Sequence, residues 1–294
     1  MNNNHRPIST TSGTTARANG DTISDTRDNW PGRGVPRRAA IRPRCSDAPD
    51  RYDFPETPMN AETDTPAAPG GPSPLTVTVW SDLGCPWATL ALETLRRRAG
   101  ERVTIEHRAF PLELFNSRPT PRGIVDEEIA AISEFLPGLG WQRWHGADSA
   151  YPVSTLPAME AVRAVASSQG PAAADELDAA LRDAFYRRSE CVTITPVILE
   201  IARRCSTVDA ESLADELRDG THRKAVHQDW ETARSETVRG SPHLFTADGR
   251  SVHNPGVRWE PRGTSGQPPV LRDYDETWVE KFLFPAPRTE PTTT

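Results

Sequence analysis

The stretch VTVWSDLGCPWATLALETLRRR, Val77 to Arg98, reads as a strand turning sharply into a helix. Upstream of the turn, Leu75 to Asp82 alternates β-branched and apolar residues, the pattern of a buried strand. Downstream, Pro86 suits the first helical position, where its missing N–H costs nothing. Leu90, Leu92 and Leu95 give an apolar face, and Gly100 closes the helix. The turn between them carries Cys85. Three residues on, where a C-x-x-C pair would place its second cysteine, stands Ala88. A cysteine next to an N-cap meets free backbone N–H groups and the positive end of the helix dipole. Such placement is expected to lower a thiol pKa from about 8.5 into the range of roughly 3.5 to 7.5, which would make Cys85 a nucleophile at neutral pH. The competing reading is a small buried hydrophobe, which free cysteines often are.

Working outward, VTIEHRAFPL (Val103–Leu112) is a second strand, so the opening unit is βαβ with parallel strands. A long helical block follows, from VDEEIAAISEFL through LPAMEAVRAVASSQ, AAADELDAALRDAFYRRS, TPVILEIARRC and ESLADELRDG to HRKAVHQDWETARSETV. Their apolar residues recur at three and four. HLFTA and SVHN flank Asp248-Gly249, a hairpin signal, and a last helix is expected within DYDETWVEKFLF. The order βαβ, helical insertion, ββα predicts one mixed α/β domain over residues 74–284, with the insertion at about 120–237.

Residues 1–73 are rich in Thr, Asn, Gly, Pro and Arg without periodicity, and read as a disordered arm. Met59, followed by a short polar lead-in, is an alternative start. Residues 285–294 read as a flexible tail. The arm holds nine arginines and nine carboxylates, so the net charge of −7 belongs to residues 74–294. That removes a basic nucleic-acid footprint. The sequence has no run of roughly twenty apolar residues to span a membrane and no signal-peptide pattern, so the expected location is the cytoplasm. Four cysteines, Cys45, Cys85, Cys191 and Cys205, have neither zinc-ligand spacing nor the density of a disulfide scaffold. No metal ligand set and no nucleotide loop stand out.

The SDLGCPWA turn resembles the C-P-W-C or C-P-x-C active site of the DsbA-like branch of the thioredoxin superfamily. Within that branch it resembles the cytosolic FrnE-like members, the 2-hydroxychromene-2-carboxylate isomerases and the kappa-class glutathione transferases. EHRAFPLELF resembles the second strand and its exit. AAADELDAALRDAFYRRSECVTITPVILEIARRC resembles the helical insertion, and VRGSPHLF the loop that sets a cis-proline opposite the active cysteine. The resemblance implies a thioredoxin-like fold, a catalytic Cys85, and a cis Ser241–Pro242 bond beside it. The departure is Ala88: without a second cysteine, a mixed disulfide on Cys85 waits for an external thiol.

Around Cys85, the expected substrate-binding residues are Pro86, Trp87, Ser241, His243 and His253. Either histidine could act as a counter-charge or as an acid and base near neutral pH. Asp82 caps the turn or accepts a proton. Trp141 and Trp144, three apart, are expected to share a helical face, and His145 beside them to line a pocket. Three functions stay open. The first is thiol–disulfide oxidoreductase or isomerase activity through one thiol, with no tightly bound cofactor and a low-molecular-weight thiol as co-substrate. The second is a glutathione- or other thiol-dependent small-molecule isomerase or transferase. The third is a non-catalytic binding module. The expected partners are small thiols or disulfides, with neither nucleic acid nor membrane, and the oligomeric state stays open.

Overall fold

The computed structural model describes residues 73–235, 238–260 and 270–285. The arm of residues 1–72 with Met59, and residues 286–294, lie outside them. Strand β1 (Leu75–Ser81) leads into helix α1 (Pro86–Ala99), and β2 (Val103–Ala109) pairs parallel with β1 from Leu75↔Val103 to Ser81↔Ala109. Gly100 ends α1 with φ of 53°, a conformation that glycine adopts without a Cβ penalty.

After β2 the chain forms a short helix α2 (Leu112–Phe115) and then the helical block. This consists of α3 (Arg122–Phe135), α4 (Leu156–Ser168), α5 (Pro171–Arg188), α6 (Thr195–Ala202), α7 (Ala210–Asp219) and α8 (Arg223–Ser235). The chain then returns to the sheet through β3 (His243–Thr246), antiparallel to β1, and β4 (Ser251–His253), antiparallel to β3. The four-stranded order is β2-β1-β3-β4. This is a mixed α/β thioredoxin-type sheet interrupted by helices, as the sequence predicts.

Alternation along β1 sends its side chains to opposite faces. Val77 and Val79 join Leu244 in the main core with Leu90, Leu92 and Leu95 of α1. Trp80 faces the other way, against Phe110, Phe245 and Ala233 of α8. Asp229 of α8 is buried and ties that helix to β2, accepting the Ala109 N–H at 3.0 Å and the Arg108 guanidinium at 3.1 Å.

Two features differ from the expectation. Beyond β4 the chain adds a second sheet of β5 (Val257–Glu260) and β6 (Val270–Tyr274), and the last helix, α9 (Trp278–Leu283), lies within DYDETWVEKFLF as expected. Trp141 and Trp144 are buried, but their segment is not helical. Trp141 lies 4.8 Å from the Tyr186 ring, and Trp144 packs edge-on to Tyr151. Three-residue spacing gave the right burial from the wrong local geometry. His145 is exposed and contacts Ser189, with Nδ1 2.9 Å from the hydroxyl, rather than lining a pocket with the tryptophans.

Candidate active site

Cys85 is the N-cap of α1, and Pro86 occupies the first helical turn. The Cys85 thiol is 5% exposed and donates to the Ser241 carbonyl oxygen at 3.3 Å. The Ser241–Pro242 peptide bond is cis. The sequence places these residues 156 positions apart; the pairing of β3 with β1 brings them together. Pro86, Trp87, Ser241 and Pro242 are all buried around the sulfur's turn, and Ala88 is fully buried where a second thiol would stand.

The turn is held by a dense set of polar contacts. Asp82 is buried, and its carboxylate accepts the Gly84 N–H at 2.7 Å, the Leu112 N–H at 2.8 Å and the Thr155 hydroxyl at 2.8 Å. Burial pushes its pKa up, against these donors. Of the two roles expected for Asp82, the contacts made are those of a cap and cross-brace.

Behind the turn lies Arg182 of α5, 2% exposed. Its guanidinium donates to the Asp82 carbonyl at 3.2 Å, the Thr89 hydroxyl at 2.8 Å and the Ser81 hydroxyl at 3.0 Å. Asp178 neutralises it at 2.9 Å. Burial alone would raise the Asp178 carboxyl, but the charges of Arg182, His107 and Arg96 hold it well below the usual range. His107, Asp175 and Asp178 present ligand-type atoms within 4.8 Å of one another. Arg96 binds both of those carboxylates, at 2.7 and 2.6 Å, and supplies the positive charge there. Tyr186 completes the support, its hydroxyl donating to the Leu83 carbonyl at 3.2 Å.

The electrostatics correct the expectation of an activated thiolate. Burial pushes the Cys85 thiol up to about 12, with the charge of Glu128 adding to it and that of Asp82 contributing further. Hydrogen bonds from the Ser241 side chain and the Ala88 N–H pull the other way and do not offset burial. The helix start is present, but desolvation of a thiolate in an apolar site outweighs it. In this arrangement Cys85 is a protonated thiol and a hydrogen-bond donor.

His243 and His253 lie on the two strands that follow the Ser241–Pro242 bond. They pair in register across β3 and β4, with ring centroids 5.6 Å apart. His243 packs at a tilt against Phe245, with ring centroids 4.3 Å apart, on the sheet face opposite Leu244. Its Nδ1 accepts the Arg239 N–H at 3.0 Å. Burial, then the neighbouring His253 and Arg239, lower its pKa to about 4, so it is neutral at physiological pH. His253 packs over Gly240, where an added Cβ would lie 2.7 Å from its Nε2. Both histidines thus meet the residues just before Ser241, at Arg239 and Gly240.

Glu128 of α3 was not visible as a site residue in the sequence. It is half-buried, and burial raises its pKa to about 7, with the Trp87 side chain pulling the other way. Its signal in VDEEIAAISEF was an acidic residue on the apolar stripe defined by Val125, Ile129 and Ile132. Trp87 in turn packs edge-on to Trp259 of β5, with centroids 5.2 Å apart.

Cys191 and Cys205 are free thiols, as is Cys85. Cys205 donates to the Ile201 carbonyl at 3.6 Å and lines a separate groove between α1 and α5. Cys45 lies outside the described residues. Among the described residues, no helix is long and apolar enough to cross a membrane.

Comparison with known proteins agrees with this architecture. A family model described as the DSBA-like thioredoxin domain matches residues 76–260. Among solved structures, a Nitrosomonas europaea protein provisionally called a protein disulfide isomerase aligns with a TM-score of 0.51 at 14% identity, covering 71% of this chain and 96% of that one. The cytosolic disulfide reductase DsbM from Pseudomonas aeruginosa aligns at 0.42 with 15% identity, over 72% and 93%. A 2-hydroxychromene-2-carboxylate isomerase aligns at 0.47 with 14% identity, over 60% and 88%. No curated protein matches the sequence significantly. At 14% identity the likeness to the Nitrosomonas europaea structure speaks to fold alone, while the family model spans more than half of the sequence. The chain belongs to the DSBA-like thioredoxin domain family.

Proposed function

We propose that the protein carries out thiol–disulfide exchange, as an oxidoreductase or disulfide isomerase of DsbA-like type, through the single sulfur of Cys85. The observation that carries this reading is the 3.3 Å contact between the Cys85 thiol and the Ser241 carbonyl, beside Pro242 at the start of α1. It sets one sulfur against a backbone acceptor that an extended ligand could use in its place. With Ala88 at the second position, the mixed disulfide formed on Cys85 is released by an external low-molecular-weight thiol. No bound cofactor is required, and a reducing compartment such as the cytoplasm would supply that thiol.

The free protein stores the sulfur protonated. Attack needs the thiolate, so exchange is expected to accelerate as pH rises and when a bound disulfide displaces the Ser241 contact. Cys85→Ser tests the reading: exchange of a small disulfide with a small thiol should fall to the uncatalysed rate. Retention of exchange in that variant would rule it out.

One observation favours a second reading. A thiol protonated at neutral pH is suited to donate a hydrogen bond to the sulfur of a bound small thiol, in a thiol-dependent isomerase or transferase. There Cys85→Ser, which keeps a donor, would preserve activity on a small organic substrate.

A further inference from the structure

A small cavity of about 30 Å³ lies against the turn that carries Cys85, walled by Asp82 and Gly84 of that turn, by Glu113 of α2 and by Thr155. Its two sides are fastened to each other. The Asp82 carboxylate accepts the Gly84 N–H, the Thr155 hydroxyl and the N–H of Leu112, the neighbour of Glu113, while the Ser154 hydroxyl donates to Glu113 at 2.8 Å. Gly84 comes so close to the facing wall that an added Cβ would lie 3.2 Å from the Thr155 methyl. Glu113 thus shares a cavity with the residue that precedes Cys85.

The cavity has the character of a site for a small charged group. Val153, another of its walls, is 64% exposed, so the space lies at the surface. Its volume holds about two water-sized groups, at roughly 10–15 Å³ each. Val125 and Phe185 supply apolar wall, and Glu113 supplies a half-buried carboxylate with which no cation among the described residues pairs. The other charges beside the cavity are engaged. Asp82 is buried under its three donors, and Arg122, whose guanidinium sits 5.5 Å from the centre of the Tyr151 ring in the cavity wall, is bound to Asp126 and Asp148. A carboxylate in partly apolar surroundings without a counter-ion is unfavourable until a cation meets it.

We propose that this cavity is a subsite of the Cys85 centre that takes a primary ammonium group on Glu113, so that the favoured substrates are small disulfides and thiols with a primary amine close to the sulfur. This rests on the exchange reading given above. A primary ammonium is about the size of a water molecule, and its N–H donors suit the Glu113 carboxylate and the Thr155 hydroxyl oxygen. A trimethylammonium group carries the same charge but has no N–H to donate and is too large for the space. An anionic group meets the like charge of Glu113.

The step served is simple exchange. The Cys85 thiol gives its proton to solvent, and its sulfur attacks one sulfur of a symmetric disulfide R–S–S–R whose ammonium end is held in the cavity. The bond between the Cys85 sulfur and S–R forms as the original S–S bond breaks, and the departing RS⁻ takes up a proton to leave as RSH. The disulfide supplies the oxidising equivalents.

The test compares cystamine, the disulfide of thiocholine and 3,3′-dithiodipropionate, which place a primary ammonium, a trimethylammonium and a carboxylate at the same distance from sulfur. Adduct formation on Cys85 at about pH 8, above the ordinary carboxyl range, is read by mass spectrometry. Each rate is normalised to that of the same disulfide with a free small thiol. Cystamine should exceed the other two by roughly tenfold, the low end of what a charge-assisted hydrogen bond contributes. Glu113→Gln, which keeps an acceptor for Ser154, should bring cystamine close to the thiocholine disulfide. Matched normalised rates for these two in the unsubstituted protein, or a cystamine preference that Glu113→Gln leaves in place, would overturn the inference while leaving exchange intact. Failure of Cys85 to form an adduct with any of the disulfides would overturn the exchange reading and this inference together.

Discussion

Asp82 and Ser241, 159 residues apart, are joined across the site by a hydrogen bond in which the Asp82 N–H donates to the Ser241 hydroxyl at 2.8 Å. The same serine offers its carbonyl to Cys85. One residue of the β3 approach thus fixes both the strand end before the thiol and the thiol itself. The two halves of the sheet, separated in sequence by the helical block, meet at this serine.

Ser241→Ala leaves the buried Asp82 N–H without its partner. A lost hydrogen bond with an orphaned buried donor costs about 1–3 kcal/mol. Denaturant unfolding should register that loss, and the Cys85 thiol should become easier to alkylate as the loop loosens. An unchanged midpoint would show that the bond is not maintained in solution.

Arg182 supports the turn from beneath. Arg182→Met would leave two buried hydroxyls and the Asp82 carbonyl without their donor and take one counter-charge from Asp178. Breaking a buried ion pair costs about 3–5 kcal/mol, and Arg96 still serves Asp178, so a loss of about 3 kcal/mol is expected. Chemical unfolding measures it; a loss below about 1 kcal/mol would place the network's weight elsewhere.

His243 makes stability depend on acid. Its pKa falls from an ordinary value near 6.5 to about 4 in the folded chain. The unfolded chain therefore binds more protons between those values, and stability attributable to this residue is lost as pH drops from about 6.5 through about 4. His243→Phe should flatten that part of the stability–pH curve. A curve as steep in the variant as in the parent would assign the acid sensitivity to other groups.

The thiol has its own profile. With Cys85 pushed up to about 12, its iodoacetamide alkylation should climb with pH through 9 and 10 without levelling off. Glu128→Gln should speed it at a given pH by removing a like charge. A plateau reached below about pH 8 would mean that the helix start, not burial, governs the sulfur.

Much of this architecture was legible in the sequence. The strand, turn and helix around Cys85 followed from β-branched alternation, Pro86 and Gly100, all of them local signals. The helical block followed from three-and-four periodicity. Trp141 and Trp144 show where that logic stops: their burial comes from packing on Tyr186 and Tyr151, which spacing cannot reveal. VLRDY became a strand because Val257–Glu260 offers it a partner. The thiol's protonation was misread for a related reason. The helix terminus that stabilises a thiolate is written locally, whereas the burial and the Glu128 charge that oppose it come from α3 and β3, distant in sequence. The same distance hid Glu128 itself.

The most direct measurement is to incubate the reduced protein with a small disulfide, map the modified cysteine by mass spectrometry, and then add a low-molecular-weight thiol. The expected result is a mixed disulfide on Cys85, formed faster at higher pH and released by the added thiol. Modification confined to Cys191, Cys205 or Cys45, with Cys85 untouched, would contradict a function built on its sulfur.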